Sequence, residues 1–107
     1  IYGDGSQTRS FCYVDDLVDG LMSLMNSSES GPINIGNPNE LTIKQLAEII
    51  IKKANSNSEL IYMPLPQDDP LQRKPVIEKA KNLLGWTPTV NLERGLENTI
   101  HYFKENI

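Results

Sequence analysis

The sequence predicts an α/β fold: a small parallel strand pair flanked by helices, in one domain spanning residues 1–107. Three observations carry that expectation. Apolar residues recur at helical spacing in several stretches. Two short β-type runs, Ile33 to Ile35 and Leu60 to Met63, are bounded by turn residues. A helix-length segment joins those runs, the arrangement that gives parallel strands through a right-handed crossover. At 107 residues the chain has room for one modest core.

The first helix is expected from Val14. Val14, Leu17, Val18, Leu21, Met22 and Met25 share one face, and Asp15 and Asp16 sit where the helix N-terminus favours negative charge. The polar cluster from Asn26 to Pro32 ends it, because short polar side chains compete for backbone hydrogen bonds and Gly31 and Pro32 break the helix. The glycosylation triplet Asn26-Ser27-Ser28 reads as part of that loop.

After the run Ile33 to Ile35 and a turn at Gly36-Asn37-Pro38-Asn39, a Thr42-to-Gln45 capping box starts a second helix at Thr42. Ile43, Leu46, Ala47, Ile50 and Ala54 keep its spacing, and the Asn55–Ser58 cluster ends it before Leu60 to Met63. Pro64, Pro66 and Pro70 then hold the chain extended, carrying Gln67-Asp68-Asp69 and Gln72-Arg73-Lys74 across the surface as a loop. Ile77, Ala80, Leu83 and Leu84 make a short helix that Gly85 caps, and Trp86 offers a large surface for the core. Leu92, Leu96, Ile100 and Phe103 line a last helix.

Composition excludes several classes. The hydrophobic fraction of 38% and charged fraction of 22% are those of a folded chain. A formal net charge of -4 and no basic stripe argue against nucleic acid, and no apolar run approaches the length of a membrane span. The single Cys12 and the single His101 form no metal set of standard spacing. Cys12 reads as a small, partly buried side chain, and His101 as a surface residue with Glu97 as its neighbour. The start at Ile1 has no initiator Met, so the chain is expected to be a portion of a longer protein. The compartment stays open between cytoplasm and Golgi lumen.

The chemistry is concentrated in residues 3–17. Gly3 and Gly5 suggest a dinucleotide fingerprint, yet the third glycine position is Thr8 and no helix opens at the turn, so a cofactor site is rejected here. The Gly-Lys-Ser/Thr ending of a phosphate loop is also missing. Anion affinity therefore falls to Arg9, whose planar fork donates paired hydrogen bonds to two oxygens, with Gln7 and Thr8 beside it for hydroxyls or phosphate oxygens. An ion pair between Arg9 and Asp4 or Asp15 is the competing reading. Arg73, next to Lys74, is either a solvated charge or a second clamp on the same diphosphate. Asp68 and Asp69 point to different sides of an extended segment and read as loop or capping residues. Phe11 and Tyr13 are expected to anchor the turn to the core, and Asn34 and Asn37 to satisfy backbone groups.

Gly3 to Leu17, Ile33-Asn34-Ile35-Gly36-Asn37-Pro38, Gln67-Asp68-Asp69-Pro70 with Arg73-Lys74-Pro75, and Lys79-Ala80-Lys81 through Leu84-Gly85-Trp86-Thr87-Pro88 occur in the order found in the extended short-chain dehydrogenase/reductase (NAD-dependent epimerase/dehydratase) family. Over nearly its full length the chain resembles the C-terminal, substrate-binding part of that family, and the Gln-Thr-Arg and Asp-Asp-Pro…Arg-Lys-Pro segments resemble its UDP-glucuronate decarboxylase branch. The resemblance implies that Gln7, Thr8 and Arg9 contact a UDP-sugar, that Arg73 reaches its diphosphate, and that Tyr13 neighbours the site. It further implies a homodimeric parent in which NAD, held by another domain, oxidises the sugar at C4 before carbon dioxide is lost and the hydride returns.

The chain departs from the family in lacking the Gly-rich NAD turn, the Rossmann core and the Tyr-x-x-x-Lys proton-transfer pair. No catalytic residue is assigned, and this portion is expected to bind without catalysing. Val76 stands where the family usually has Asp, which removes a helix cap worth about 1 kcal/mol. A sugar-nucleotide 4,6-dehydratase or 4-epimerase, or a non-catalytic interaction module, are the rival functions. Without its upstream domain, the chain is expected to expose apolar surface on the Val14–Met25 helix or beneath Trp86, and to self-associate.

Overall fold

The computed structural model describes residues 1–106. Strand β1 (Thr8–Ser10) leads into helix α1 (Val14–Met25), and strand β2 (Glu40–Thr42) runs directly into helix α2 (Ile43–Lys53). A short π-helical turn (Ala80–Leu84) and helix α3 (Leu92–Glu105) complete the chain. The α/β class stands, but the sheet differs from the expected one. β1 and β2 are antiparallel, with Thr8 opposite Thr42, Arg9 opposite Leu41 and Ser10 opposite Glu40.

The expected parallel pair of Ile33 to Ile35 with Leu60 to Met63 does not form. Residues 33–35 make no strand, and Met63 instead makes an isolated parallel bridge with Tyr2. The Gly3 N–H donates to the Met63 carbonyl and the Met63 N–H to the Ile1 carbonyl, both at 2.7 Å. Residues 33–35 spend their side chains differently. Ile33 and Ile35 pack on the core, while the Asn34 side-chain amide donates to the Val76 carbonyl at 3.5 Å. So short a run, preceded by Pro32 with no N–H to give, gains more from burying two isoleucines than from a ladder.

Helix α2 begins as its sequence predicts. The Thr42 side chain accepts from the Gln45 N–H at 3.0 Å, and the Gln45 side-chain oxygen accepts from the Thr42 N–H at 2.9 Å, closing the capping box. Two further N–H groups of its first turn are met from the turn before β1: Ile43 donates to the Gln7 carbonyl at 3.0 Å and Lys44 to the Gly5 carbonyl at 3.1 Å. Gly5 permits this approach. Its φ is 81°, and a Cβ there would lie 2.9 Å from the Lys44 Cβ.

The core is small: Ile77, Ala80 and Trp86 are buried, with Cys12, Ile33, Ile35 and Leu84 packed against them. Gly85 ends the π turn in the left-handed region at φ 64°, and this turns Trp86 back into the core. Helix α1 meets that core through Asp16 and Gly20, its two buried residues, while Val14, Leu17, Val18, Leu21, Met22 and Met25 remain exposed. The apolar stripe therefore faces away from the core. On α3, Leu92, Leu96 and Ile100 are half-buried and Phe103 is exposed. Lys53 of α2 and Glu97 of α3 pair at 3.0 Å. His101 lies on the surface, but its partner is Glu105 at 3.2 Å, because Glu97 is taken by Lys53.

Candidate functional site

The two-stranded sheet carries the candidate residues and fixes their directions. Gln7 ends the turn before β1 and is buried, with its side-chain amide donating to the Tyr2 carbonyl at 2.9 Å. Thr8 opens β1 and its hydroxyl donates to Glu40 Oε2 at 2.7 Å across the sheet. Arg9 follows, half-buried. Its Nη1 donates to the Thr8 carbonyl at 2.7 Å and its Nη2 to Asp69 Oδ1 at 2.8 Å.

Arg9 thus has an ion-pair partner, and it is neither Asp4 nor Asp15. Asp4 is occupied in its own turn, accepting from both the N–H and the hydroxyl of Ser6, and these bonds hold its carboxyl below the usual carboxylate range. Asp69, read from the sequence as a loop or capping residue, is the acid that reaches Arg9.

Asp69 belongs to a proline-bounded segment that crosses the sheet and is fastened to it at three points. Besides the Arg9–Asp69 pair, the Thr8 N–H donates to the Leu71 carbonyl at 2.7 Å, and Lys74 Nζ lies 3.5 Å from Glu40 Oε1. Arg73 lies between the second and third fastenings and is exposed, with no hydrogen-bond or ion-pair partner among the described residues. Arg9 and Arg73, far apart in sequence, therefore belong to one strand-and-strap unit. The structure supplies Glu40 and Asp69 as further members that sequence reasoning missed. For Asp69 the signal was the acid pair Asp68-Asp69 followed by the base pair Arg73-Lys74, and Glu40 carried none; nothing local says which charge each one meets.

Tyr13 sits apart from this unit. It is the N-cap residue of α1, and its ring packs on α3 where a Cβ on Gly95 would lie 3.3 Å from the ring Cδ1. With Phe11 and Cys12 it lines a cleft of about 190 Å³ against Val90 to Leu92 and the Gly95–Thr99 face. Phe11 is about one-third exposed and anchors the turn only partly. Cys12 is half-buried, and burial, followed by the charge of Asp16, raises its thiol above the ordinary range. Asn37 is buried and accepts from the Asn39 N–H at 2.9 Å, so it satisfies backbone as expected.

The unit holds two guanidinium groups, that of Arg9 paired with Asp69 and that of Arg73 exposed and without a partner among the described residues. The turn at Gly3 to Gly5 does not fit a dinucleotide, since it leads into β1 rather than into a helix N-terminus. Among the described residues no helix is long and apolar enough to cross a membrane.

The chain is 53% identical over all 107 residues to UDP-glucuronic acid decarboxylase 1 of Xenopus tropicalis, covering 25% of that protein. It is 54% identical to the Danio rerio protein of the same name, covering 26% of it. The fold superposes on a UDP-glucose 4-epimerase of Thermotoga maritima solved with UDP-glucose, with a TM-score of 0.93 at 34% identity over 99% of this chain and 34% of that one. It also superposes on a UDP-glucuronic acid 4-epimerase of Bacillus cereus solved with UDP-glucuronic acid and NAD, with a TM-score of 0.90 at 31% identity over 100% of this chain and 35% of that one. Residues 1–99 match the sequence family described as GDP-mannose 4,6 dehydratase. With the turn, the strap and the Trp86 core all inside that match, the chain belongs to this family of the extended short-chain dehydrogenase/reductases.

Proposed function

We propose that the chain is the C-terminal, nucleotide-sugar-binding portion of an NAD-dependent UDP-glucuronate decarboxylase, a carboxy-lyase that yields UDP-xylose and carbon dioxide. The observation that supports this reading is the fastening of the segment that bears Arg73 to β1, through Leu71 to Thr8 and through Asp69 to Arg9. The identity of more than half over the whole chain to UDP-glucuronic acid decarboxylases supports this branch of the family.

In this reading Arg9 and Arg73 grip the diphosphate, Thr8 supplies a hydroxyl beside it, and Gln7 holds the turn through Tyr2 while facing the sugar side of the site. Tyr13 lies apart from the strap, and its proposed place is at the edge of the substrate, in the cleft against α3. NAD, bound by another part of the parent, supplies reversible hydride transfer at the sugar. This chain's own residues bind and orient, and none is assigned a proton-transfer role. The parent is proposed to be a homodimer.

In the full-length protein, Arg9→Ala is expected to weaken UDP binding at least tenfold and to leave NAD binding unchanged, as read by calorimetry. Unchanged UDP affinity would remove Arg9 from the site. Arg73→Ala tests the second grip in the same way. A 4-epimerase is the second reading, favoured by the close superposition on UDP-sugar 4-epimerases. Incubating the full-length protein with UDP-glucuronate separates them: UDP-xylose with carbon dioxide supports the decarboxylase, and a 4-epimer without gas supports the epimerase.

A further inference from the structure

Arg9 is already neutralised by its own chain. Its Nη2 holds Asp69 Oδ1 at 2.8 Å, with side-chain exposures of 19% and 28%, so this pair is better shielded from water than the Lys74–Glu40 pair, whose lysine is 56% exposed. A guanidinium has five donors, and two of Arg9's are spent on Asp69 and the Thr8 carbonyl. Its single positive charge is matched by a single carboxylate.

The segment bearing Asp69 is held rather than relaxed. Asp68 has φ 70°, in the left-handed region that a side-chain-bearing residue adopts at a cost unless its surroundings enforce it. The enforcing contacts are those around it: the Asp69 N–H reaches the Pro66 carbonyl at 3.4 Å, Asp69 pairs with Arg9, and Leu71 is bonded to Thr8. Arg73, four residues beyond Asp69, has no carboxylate of its own among the described residues.

We propose that Asp69 is a built-in counterion, occupying the anion position of Arg9 in the ligand-free protein and displaced from it by the diphosphate of the nucleotide sugar. This inference rests on the reading of Arg9 as the anion-binding fork given above. The exchange is a balance of charge with no covalent step. One carboxylate charge leaves the guanidinium, the two charges of a diphosphate diester take its place, and Arg73 on the same strap meets the surplus. Binding is thereby coupled to the strap: the fastening at Asp69 opens while those at Leu71 and Lys74 keep the segment on the sheet.

The test is UDP titration of the full-length protein by calorimetry, comparing wild type with Asp69→Asn, Asp68→Asn and Arg9→Ala. Asp69→Asn and Asp68→Asn change the net charge equally, so a general electrostatic effect would move both alike. The expected result is that Asp69→Asn tightens UDP binding about three- to fivefold, Asp68→Asn shifts it less than about twofold, and Arg9→Ala weakens it. If Arg9→Ala weakens binding while Asp69→Asn leaves it unchanged or weaker, the counterion role is overturned and the Arg9 reading survives. If Arg9→Ala has no effect, the Arg9 reading itself falls and takes this inference with it. A second measurement is amide exchange at Thr8, whose N–H is bonded to Leu71. Protection at Thr8 is expected to persist in Asp69→Asn and in UDP-saturated wild type alike, and its loss in both would overturn the claim that the Leu71 fastening keeps the segment on the sheet.

Discussion

Asp16 holds Thr89 by two hydrogen bonds across 73 residues of sequence: its carboxylate accepts from the Thr89 N–H at 3.0 Å and from the Thr89 hydroxyl at 2.9 Å. The same carboxylate accepts from the Val90 N–H at 2.9 Å, and the Asp16 carbonyl accepts from the Trp86 indole N–H at 3.0 Å. A single buried residue in the first turn of α1 therefore positions the whole segment between the π turn and α3. In a core as small as this one, polar bonds of this kind set the geometry as much as apolar packing does.

Asp16→Ala is expected to lower stability by about 2–4 kcal/mol, because three donors lose a charged acceptor in a buried setting. Asp16→Asn should recover more than half of that, since its amide oxygen can accept from both the Thr89 and Val90 N–H groups while its NH2 donates to the Thr89 hydroxyl. Urea unfolding followed by Trp86 fluorescence measures both. A loss under about 0.5 kcal/mol for Asp16→Ala would show that the bonds are dispensable.

Gly20 has no room for a side chain: a Cβ there would lie 2.6 Å from Ile35 Cγ2 and 3.1 Å from the Trp86 ring. Alanine improves helix propensity, but the overlap is with core atoms on two sides. Gly20→Ala is expected to destabilise by about 1–3 kcal/mol, with a red shift of Trp86 emission as the indole is pushed outward. A gain in stability would mean that the helix and core separate freely.

The outward stripe of α1 should behave as surface in this chain. Leu21→Gln and Met25→Gln are expected to change unfolding free energy by less than about 0.5 kcal/mol, while reducing self-association of the isolated chain in light scattering. A large stability loss from either would place the stripe inside the fold. A monodisperse monomer with both residues intact would remove the association.

Cys12 offers a pH test. Burial, and secondarily the Asp16 charge, raises its thiol in the folded state above its unfolded value. A raised value means that the folded chain keeps the proton longer than the unfolded one, so this contribution is complete below the unfolded pKa and is lost as pH rises through the folded one. Alkylation near neutral pH is expected to be several-fold slower than for an exposed thiol, and Cys12→Ala should flatten the alkaline fall in stability. Rapid alkylation of the native protein would contradict the burial.

Much of the helical architecture was legible before any coordinates. The Thr42–Gln45 capping box, the Gly85 stop, the start of α1 at Val14 and the core role of Trp86 all rest on residues within one or two turns of each other, where local geometry decides. The strands were not legible in the same way. Leu60 to Met63 was read as a parallel strand, and Met63 does make a parallel bridge, but with Tyr2, whose short flanking segment carries no strand pattern. The Thr8–Ser10 and Glu40–Thr42 pair joins segments of mixed polarity that no alternation marks.

The site divides along the same line. The proposal that Arg9 grips an anion rests on residue type and on its place after a glycine turn, both of which are read from the sequence alone. Which carboxylate faces it, how the Arg73 segment lies over β1, and which side of α1 turns inward were decided by contacts spanning 60 and 73 residues. Helices are made by hydrogen bonds to near neighbours, so their residues announce them. An ion pair or a strand partner is chosen only when the folded chain brings distant groups together, and no single segment contains that choice.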